Sequence, residues 1–191
     1  MINVSLSTIK LRNACARGKQ APIAPKFLPN PVGSLTKLSA AGGERIFTRV
    51  AALVDSNILV YRFDTASPRK QARATELLRH GIAEDSLRVP HQAVIEFVAV
   101  VTRARGGKGP LLSTPVAYRE AEELLSQFVI LYPDEALVRT ALRGAAAYQL
   151  SWYDAHLWAY AEHYGLNELL SEDFEHGRLY GTVRVINPFL G

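Results

Sequence analysis

The stretch Val50-Ala51-Ala52-Leu53-Val54-Asp55 constrains the fold more than any other part of this chain. An unbroken apolar run of that length describes a strand buried on both faces, as in the interior of a parallel sheet. An ionised carboxylate at the end of such a strand is costly to desolvate unless something cationic meets it. Open α/β sheets place their ligand sites at the carboxyl ends of strands, so Asp55 stands where a site would be. The competing reading is that Asp55 or Asn57 caps the helix that follows, Ile58 to Phe63.

The rest of the pattern supports a sheet of this kind. Ser67-Pro68 is a cap followed by a proline at the first helical position, and Ala74, Leu77 and Leu78 share one face of the helix it opens. That helix is expected to run through His80 and to end at Gly81. Leu87-Arg88-Val89 reads as a strand, and Pro90 as the start of a helix reaching about Arg103. Val94, Phe97, Val98 and Val101 recur along it at buried-face spacing. Ser113 or Thr114 caps the next helix, which holds Pro115 and extends to about Phe128. Val129 to Tyr132 is a third strand, and Pro133-Asp134 opens a helix containing Leu137, Ala141, Ala145 and Tyr148. A further helix runs from Tyr153 to Tyr164 and stops at Gly165. Glu168 to Ser171 and Val183 to Ile186 complete a set of five strands. Strands alternating with helices imply an α/β fold with a mostly parallel central sheet.

Charge divides the chain in two. Residues 1–49 hold eight Lys and Arg against one acid, Glu44, a balance of +7, whereas residues 50–191 hold fourteen basic and seventeen acidic residues, a balance of −3. The basic pI of the whole is therefore no sign that the folded part attracts nucleic acid. Residues 1–46 have four prolines between Pro22 and Pro31 and no sustained periodicity. They are expected to form a disordered basic extension, with one domain over 47–191. Their acid-poor composition also matches an organelle transit peptide, but a dispensable or untranslated extension ahead of Val50 is the preferred reading. The single Cys15 excludes an intramolecular disulfide and any multi-cysteine zinc site, in agreement with a cytoplasmic protein. The longest apolar stretch, Ala93 to Val101, is broken by Glu96 and falls short of the roughly 20 residues a membrane span needs.

Four carboxylates fall where strand ends or apolar helix faces are expected. They are Asp55, Glu96, Asp154 in Ser151-Trp152-Tyr153-Asp154, and Asp173 in Leu170-Ser171-Glu172-Asp173. Singly, Glu96 can pair with a buried arginine, Asp154 suits the first turn of a helix, and Asp173 suits a turn. Converging in one cleft, they would repel strongly, and a divalent cation is the usual remedy. An oxygen-only set suits Mg²⁺ or Mn²⁺ better than zinc. The loop Arg103-Ala104-Arg105-Gly106-Gly107-Lys108-Gly109-Pro110 follows a helix and lacks a Lys-Ser/Thr ending, so it is not a phosphate-binding P-loop.

Val54-Asp55-Ser56-Asn57-Ile58-Leu59-Val60-Tyr61, Glu96 with its apolar neighbours, Trp152-Tyr153-Asp154-Ala155 and Leu170 to Gly177 resemble, in order, the motifs of PIN domains. The closing Arg184-Val185-Ile186-Asn187-Pro188-Phe189 is similar to the end of the VapC-type toxins of that group. The likeness spans about residues 50–190. It implies a three-layer α/β/α domain and a metal-dependent endoribonuclease, the toxin of a pair whose antitoxin is encoded alongside. It further implies that Asp55, Glu96 and Asp154 hold a first Mg²⁺ or Mn²⁺, with Asp173 completing the site or holding a second ion. Such an ion activates water and stabilises charge on the leaving oxygen.

Around that core, Ser56, Asn57 and Ser171 are candidates to orient the acids, with helix-cap and strand-end roles as the alternatives. His176 can lie near the site and touch phosphate. Arg103, Arg105 and Lys108 can meet RNA backbone, although a loop of this composition is also an ordinary solvated surface. Trp152 and Trp158 sit in an apolar helical stretch and suit the core or an interface better than base stacking. Apolar helical surface between Tyr118 and Phe128 and around Trp158 points to a homodimer. The competing functions are a structure-specific DNA nuclease and a non-catalytic module that keeps its acids to hold a structural ion.

Overall fold

The computed structural model describes residues 51–104, 107 and 109–190. The expected disordered extension over 1–46, and Arg105 and Lys108 of the basic loop, lie outside the described residues. In chain order the elements are β1 (Ala52–Val54), α1 (Ser56–Tyr61), α2 (Pro68–Ala83), β2 (Leu87–Pro90), α3 (His91–Val101) and α4 (Thr114–Gln127). There follow β3 (Val129–Leu131), α5 (Glu135–Tyr148), α6 (Trp152–His163), β4 (Glu168–Leu170), β5 (Leu179–Tyr180) and β6 (Val183–Ile186).

The strands form one sheet in the order β3-β2-β1-β4-β6-β5, and every pairing except β5 with β6 is parallel. Period-two alternation then sorts the apolar residues to two faces. Ala52 and Val54 join Leu78, Phe97 and Leu124 in a core beneath α1 to α4, while Leu53, Leu169 and Val185 join Leu137, Leu157 and Tyr160 beneath α5 and α6. The result is the expected three-layer α/β/α arrangement. Close approach of α5 to α6 depends on Gly144, where a β-carbon would lie 2.2 Å from the ring of Trp158.

Two expectations are corrected. Gly81 does not end α2, which continues to Ala83; its role is spatial, because a β-carbon there would stand 2.1 Å from Leu87 Cδ1. The sheet has a sixth strand, the two-residue β5, which turns back on β6 through Gly181 at φ +60°. Glu162 Oε2 anchors that turn by accepting from the Thr182 amide and hydroxyl at 3.0 and 2.9 Å. A strand so short carries no readable period.

Strand order reverses at β1, which has β2 and β3 on one side and β4, β6 and β5 on the other. The chain leaves β1 and β4 in different directions, opening a crevice beyond their carboxyl ends where ligands of open α/β sheets bind. Asp55 immediately follows β1 and Ser171 immediately follows β4.

Candidate active site

Register brings the two strand ends together. Val54 pairs with Leu170, and the Asp55 amide donates 3.0 Å to the Leu170 carbonyl. Ser171 is in turn held by its own amide on the Ile186 carbonyl at 3.1 Å. On this frame Ser171 Oγ donates 2.6 Å to Asp55 Oδ2 and accepts the Asp173 amide at 3.1 Å. At the second position of α1, Asn57 Nδ2 lies 2.9 Å from Asp55 Oδ2 and 3.2 Å from Asp173 Oδ2, so its two protons match two carboxylates.

The third acid comes from α3. Ser56 Oγ donates 2.7 Å to Glu96 Oε2 and stands 3.2 Å from Asp55 Oδ1. Gln92, one helical turn before Glu96, donates 2.8 Å to Glu96 Oε1 and 3.2 Å to the Tyr153 carbonyl. Its Oε1 meets His156 Nδ1 at 2.7 Å. Gln92 went unnoticed in the sequence, although its four-residue spacing from Glu96 is the signal that finds it. Neither Asp55 nor Asn57 makes a side-chain cap on α1. Their side chains face the acids instead.

Asp55 is 5% exposed, and burial raises its carboxyl from 3.8 to about 6. The Ser171 hydroxyl opposes the rise, and the negative charges of Asp173 and Glu96 add to it. A buried carboxylate, two like charges and, among the described residues, no basic hydrogen-bond partner form an electrostatically unfinished site. Asp154 is placed differently. Its carboxylate accepts from Ser151 Oγ at 2.7 Å, and its amide donates to the same oxygen at 3.2 Å, a cap on α6. It joins the network only through its neighbour Tyr153, whose carbonyl holds Gln92.

Other candidates fall outside the cluster. His176 is exposed, and its Nδ1 accepts the Asn187 amide at 3.0 Å, tying the loop after Asp173 to the end of β6. Arg103 is exposed seven residues beyond Glu96, roughly 10 Å further along the helix axis and towards the opposite end of the sheet. Trp158 is core: it is 5% exposed, with Nε1 donating 2.9 Å to the Tyr180 carbonyl. The apolar surface expected around it belongs to other residues, because Trp152 is 45% and Tyr153 68% exposed.

Among the described residues, no three His, Cys, Asp or Glu side chains stand close enough to ligate one ion as placed. The hydroxyls of Ser56 and Ser171 and the amide of Asn57 lie between the acids. The donor chemistry nevertheless fits a hard divalent cation, since the three linked acids offer only oxygen. Asn57 Oδ1, buried beside them, has no hydrogen-bond partner among the described residues.

A mostly parallel sheet with a carboxylate cluster at its switch point sets that cluster where ligands of open α/β domains bind. The chain belongs to the PIN domain family, whose model matches residues 52–181. Among solved structures it is similar to a chain of a toxin–antitoxin complex from Klebsiella pneumoniae, at 18% identity and TM-score 0.53, covering 72% of this chain and 98% of that one. It is also similar to FitAcB from Neisseria gonorrhoeae, at 22% identity and TM-score 0.51, covering 73% and 99%. DNA-bound VapBC from Salmonella typhimurium aligns at 11% identity and TM-score 0.53, covering 71% and 96%. No curated protein sequence matches the chain. Among the described residues, no helix is long and apolar enough to cross a membrane.

Proposed function

We propose that this protein is a Mg²⁺- or Mn²⁺-dependent endoribonuclease acting as the toxin of a toxin–antitoxin pair in the cytoplasm. The observation that carries the reading is the buried Asp55 carboxylate, linked through Ser56 and Asn57 to two further acids and without a basic partner among the described residues. Asp55, Glu96 and Asp173 would hold the cation, with Asp154 as the further ligand. When bound, the cation supplies activation of water and stabilisation of charge on the phosphoryl oxygens and the leaving group.

The protein's own groups prepare that chemistry. Ser171 and Ser56 fix the orientation of Asp55 and Glu96, and Asn57 ties Asp173 to Asp55. Preset carboxylates need not reorganise when charge develops in the reaction. Asp55 is shielded from water while Asp173 is exposed, so the site is closed at its floor and open to a polymer at its rim.

The toxin role draws on the motif order over residues 50–190 and on a fold shared with chains of toxin–antitoxin complexes. A cognate antitoxin is the partner this role requires. A homodimer is the expected state of the protein, with Tyr118 and Leu125 on α4 supplying exposed apolar surface. The extension over 1–46 is dispensable, so a chain beginning at Arg49 should cut the same RNA with the same cooperative melt.

The test is incubation of purified protein with structured and single-stranded RNA, and with DNA of matched sequence, in Mg²⁺, Mn²⁺ or EDTA. RNA cleavage that requires the ion and is lost in Asp55→Asn is the expected result. Full activity in EDTA, or selective cleavage of DNA, overturns the proposal. Ion binding with no cleavage of either polymer identifies a non-catalytic module instead.

A further inference from the structure

Of the three linked acids, Glu96 alone comes from the middle of a helix, and both of its oxygens are already held. Ser56 Oγ donates 2.7 Å to Oε2 and stands 3.2 Å from Asp55 Oδ1, so Oε2 is the oxygen turned towards Asp55. The Gln92 amide, four residues earlier on α3, holds Oε1 at 2.8 Å. An ion shared by Asp55 and Glu96 therefore meets Oε2. To offer both oxygens, the Glu96 carboxylate would have to turn and give up Gln92.

Gln92 can hold Glu96 in only one amide orientation. Its Nε2 faces two acceptors, Glu96 Oε1 and the Tyr153 carbonyl at 3.2 Å, and exchanging nitrogen for oxygen would set three oxygens against one another. Its Oε1 then faces His156 Nδ1 at 2.7 Å. An amide oxygen only accepts, so His156 Nδ1 carries a proton. Edge-on contact with Tyr160, 5.3 Å between ring centres, and a tilted contact with Trp152 at 5.8 Å set the imidazole itself. One tautomer of a ring on α6 thus fixes an amide on α3, and that amide fixes the carboxylate.

We propose that Gln92, supported by His156, is a positioning residue that limits Glu96 to one-oxygen ligation and so biases the site towards Mg²⁺ against Ca²⁺. Mg²⁺ demands a near-octahedral set of single oxygens, whereas the larger shell of Ca²⁺ readily takes a carboxylate through both. Hydrogen bonds that orient a ligating group are worth about 10- to 100-fold in metal affinity. The inference rests on the reading of the acids as a divalent-cation site and adds to it a source of ion selectivity.

The test needs no RNA. Mn²⁺ binding to the full chain is followed by the EPR signal of the free ion, and Mg²⁺ and Ca²⁺ are titrated as competitors. Gln92→Met should weaken Mg²⁺ by about 10- to 100-fold and Ca²⁺ by clearly less, so the ratio of the two constants shifts towards Ca²⁺. His156→Phe, which keeps a ring but not the Nδ1 proton, should shift the ratio the same way by a smaller factor. His156→Asn, whose amide nitrogen can stand where Nδ1 does, should restore the parent ratio. A variant that only loosens the fold would weaken both ions alike, so an equal loss or an unchanged ratio in Gln92→Met overturns the proposal. So does a ¹⁵N spectrum of the metal-free chain in which His156 carries its proton on Nε2 alone. Absence of saturable Mn²⁺ binding by the parent overturns this inference and the cation site together. An unchanged ratio in Gln92→Met, with RNA cleavage by the parent still requiring Mg²⁺, defeats this inference and leaves the ribonuclease reading standing.

Discussion

Glu172 and Asp173 follow one another in the chain, yet the first is held by a lysine and a phenol while the second faces Asp55 across one amide. Glu172 accepts from Tyr61 Oη and from Lys70 Nζ, and Lys70 also donates 2.9 Å to Tyr61 Oη. The ammonium stands 4.5 and 5.5 Å from the ring centres of Tyr61 and Phe189, which themselves meet edge-on. Contact with Glu172 holds the Lys70 ammonium above its ordinary range, so this group is a finished ion pair. The Asp173 side shares donors without supplying positive charge. Glu172 has its counter-charge in place, whereas the unneutralised cluster around Asp173 leaves a demand for a cation.

The largest contrast is in chemistry. Asp55→Asn should lower RNA cleavage on the order of a thousand-fold, since it removes the central charge of the site. Lys70→Met should leave the cleavage rate at saturating RNA within about an order of magnitude. Comparable losses in the two variants, in single-turnover assays with Mg²⁺, would erase the distinction between the two acid groups.

The next effect is on stability. The native carboxyl of Asp55 stands at about 6 against 3.8 when unperturbed, so the native state binds that proton more tightly than the unfolded chain. Its contribution is then most favourable below about pH 4 and is lost as pH rises through 6. The loss is at most about 3 kcal/mol, from the conversion of about 1.4 kcal/mol per unit. Urea melts in EDTA between pH 4 and 7 should show that component in the parent and lack it in Asp55→Asn. The same slope in both would mean another group carries it.

Smaller again is Lys70→Met in the metal-free protein, which leaves the half-buried Glu172 with Tyr61 alone. A cost of about 1 kcal/mol is expected, because the lysine is itself partly exposed. Pairing the change with Glu172→Gln should recover part of it, as a double-mutant cycle of melts would record. The smallest effect is Asp173→Asn. It should stabilise the metal-free protein by a few tenths of a kcal/mol and lose that advantage when Mg²⁺ is added. A clear destabilisation without metal would show that Asp173 is a structural acid like its neighbour.

Much of this was legible in the residues. The apolar residues Ala52–Val54 and Leu169–Leu170 each end next to a polar pair, and both strands are central in the sheet. Proline and serine marked the starts of α2 and α4, and Asp134 caps α5 through the Leu137 amide at 2.8 Å. Glu96 was conspicuous because a charged residue interrupts an apolar face. Gly81 misled because a glycine is a common helix stop, and nothing local says that Leu87 needs the space. Trp158, read as core or interface, lies in the core, whereas Trp152 in the same apolar stretch is exposed, because a helix apolar all round does not reveal which of its rings meet the sheet.

The sequence by itself determined the order of the helices and of every strand but the two-residue β5, the split in charge between residues 1–49 and the rest, and the identity of the acids. Those follow from periodicity and residue chemistry, which act over a few neighbouring positions. Only the tertiary structure decided that Asp55, Glu96 and Asp173 share one network while Asp154 caps its helix one residue away from it. It also decided that Glu172 is neutralised and Asp173 is not. Charge interactions depend on distance and burial, and both are set here by residues 40 to 116 positions apart in the chain.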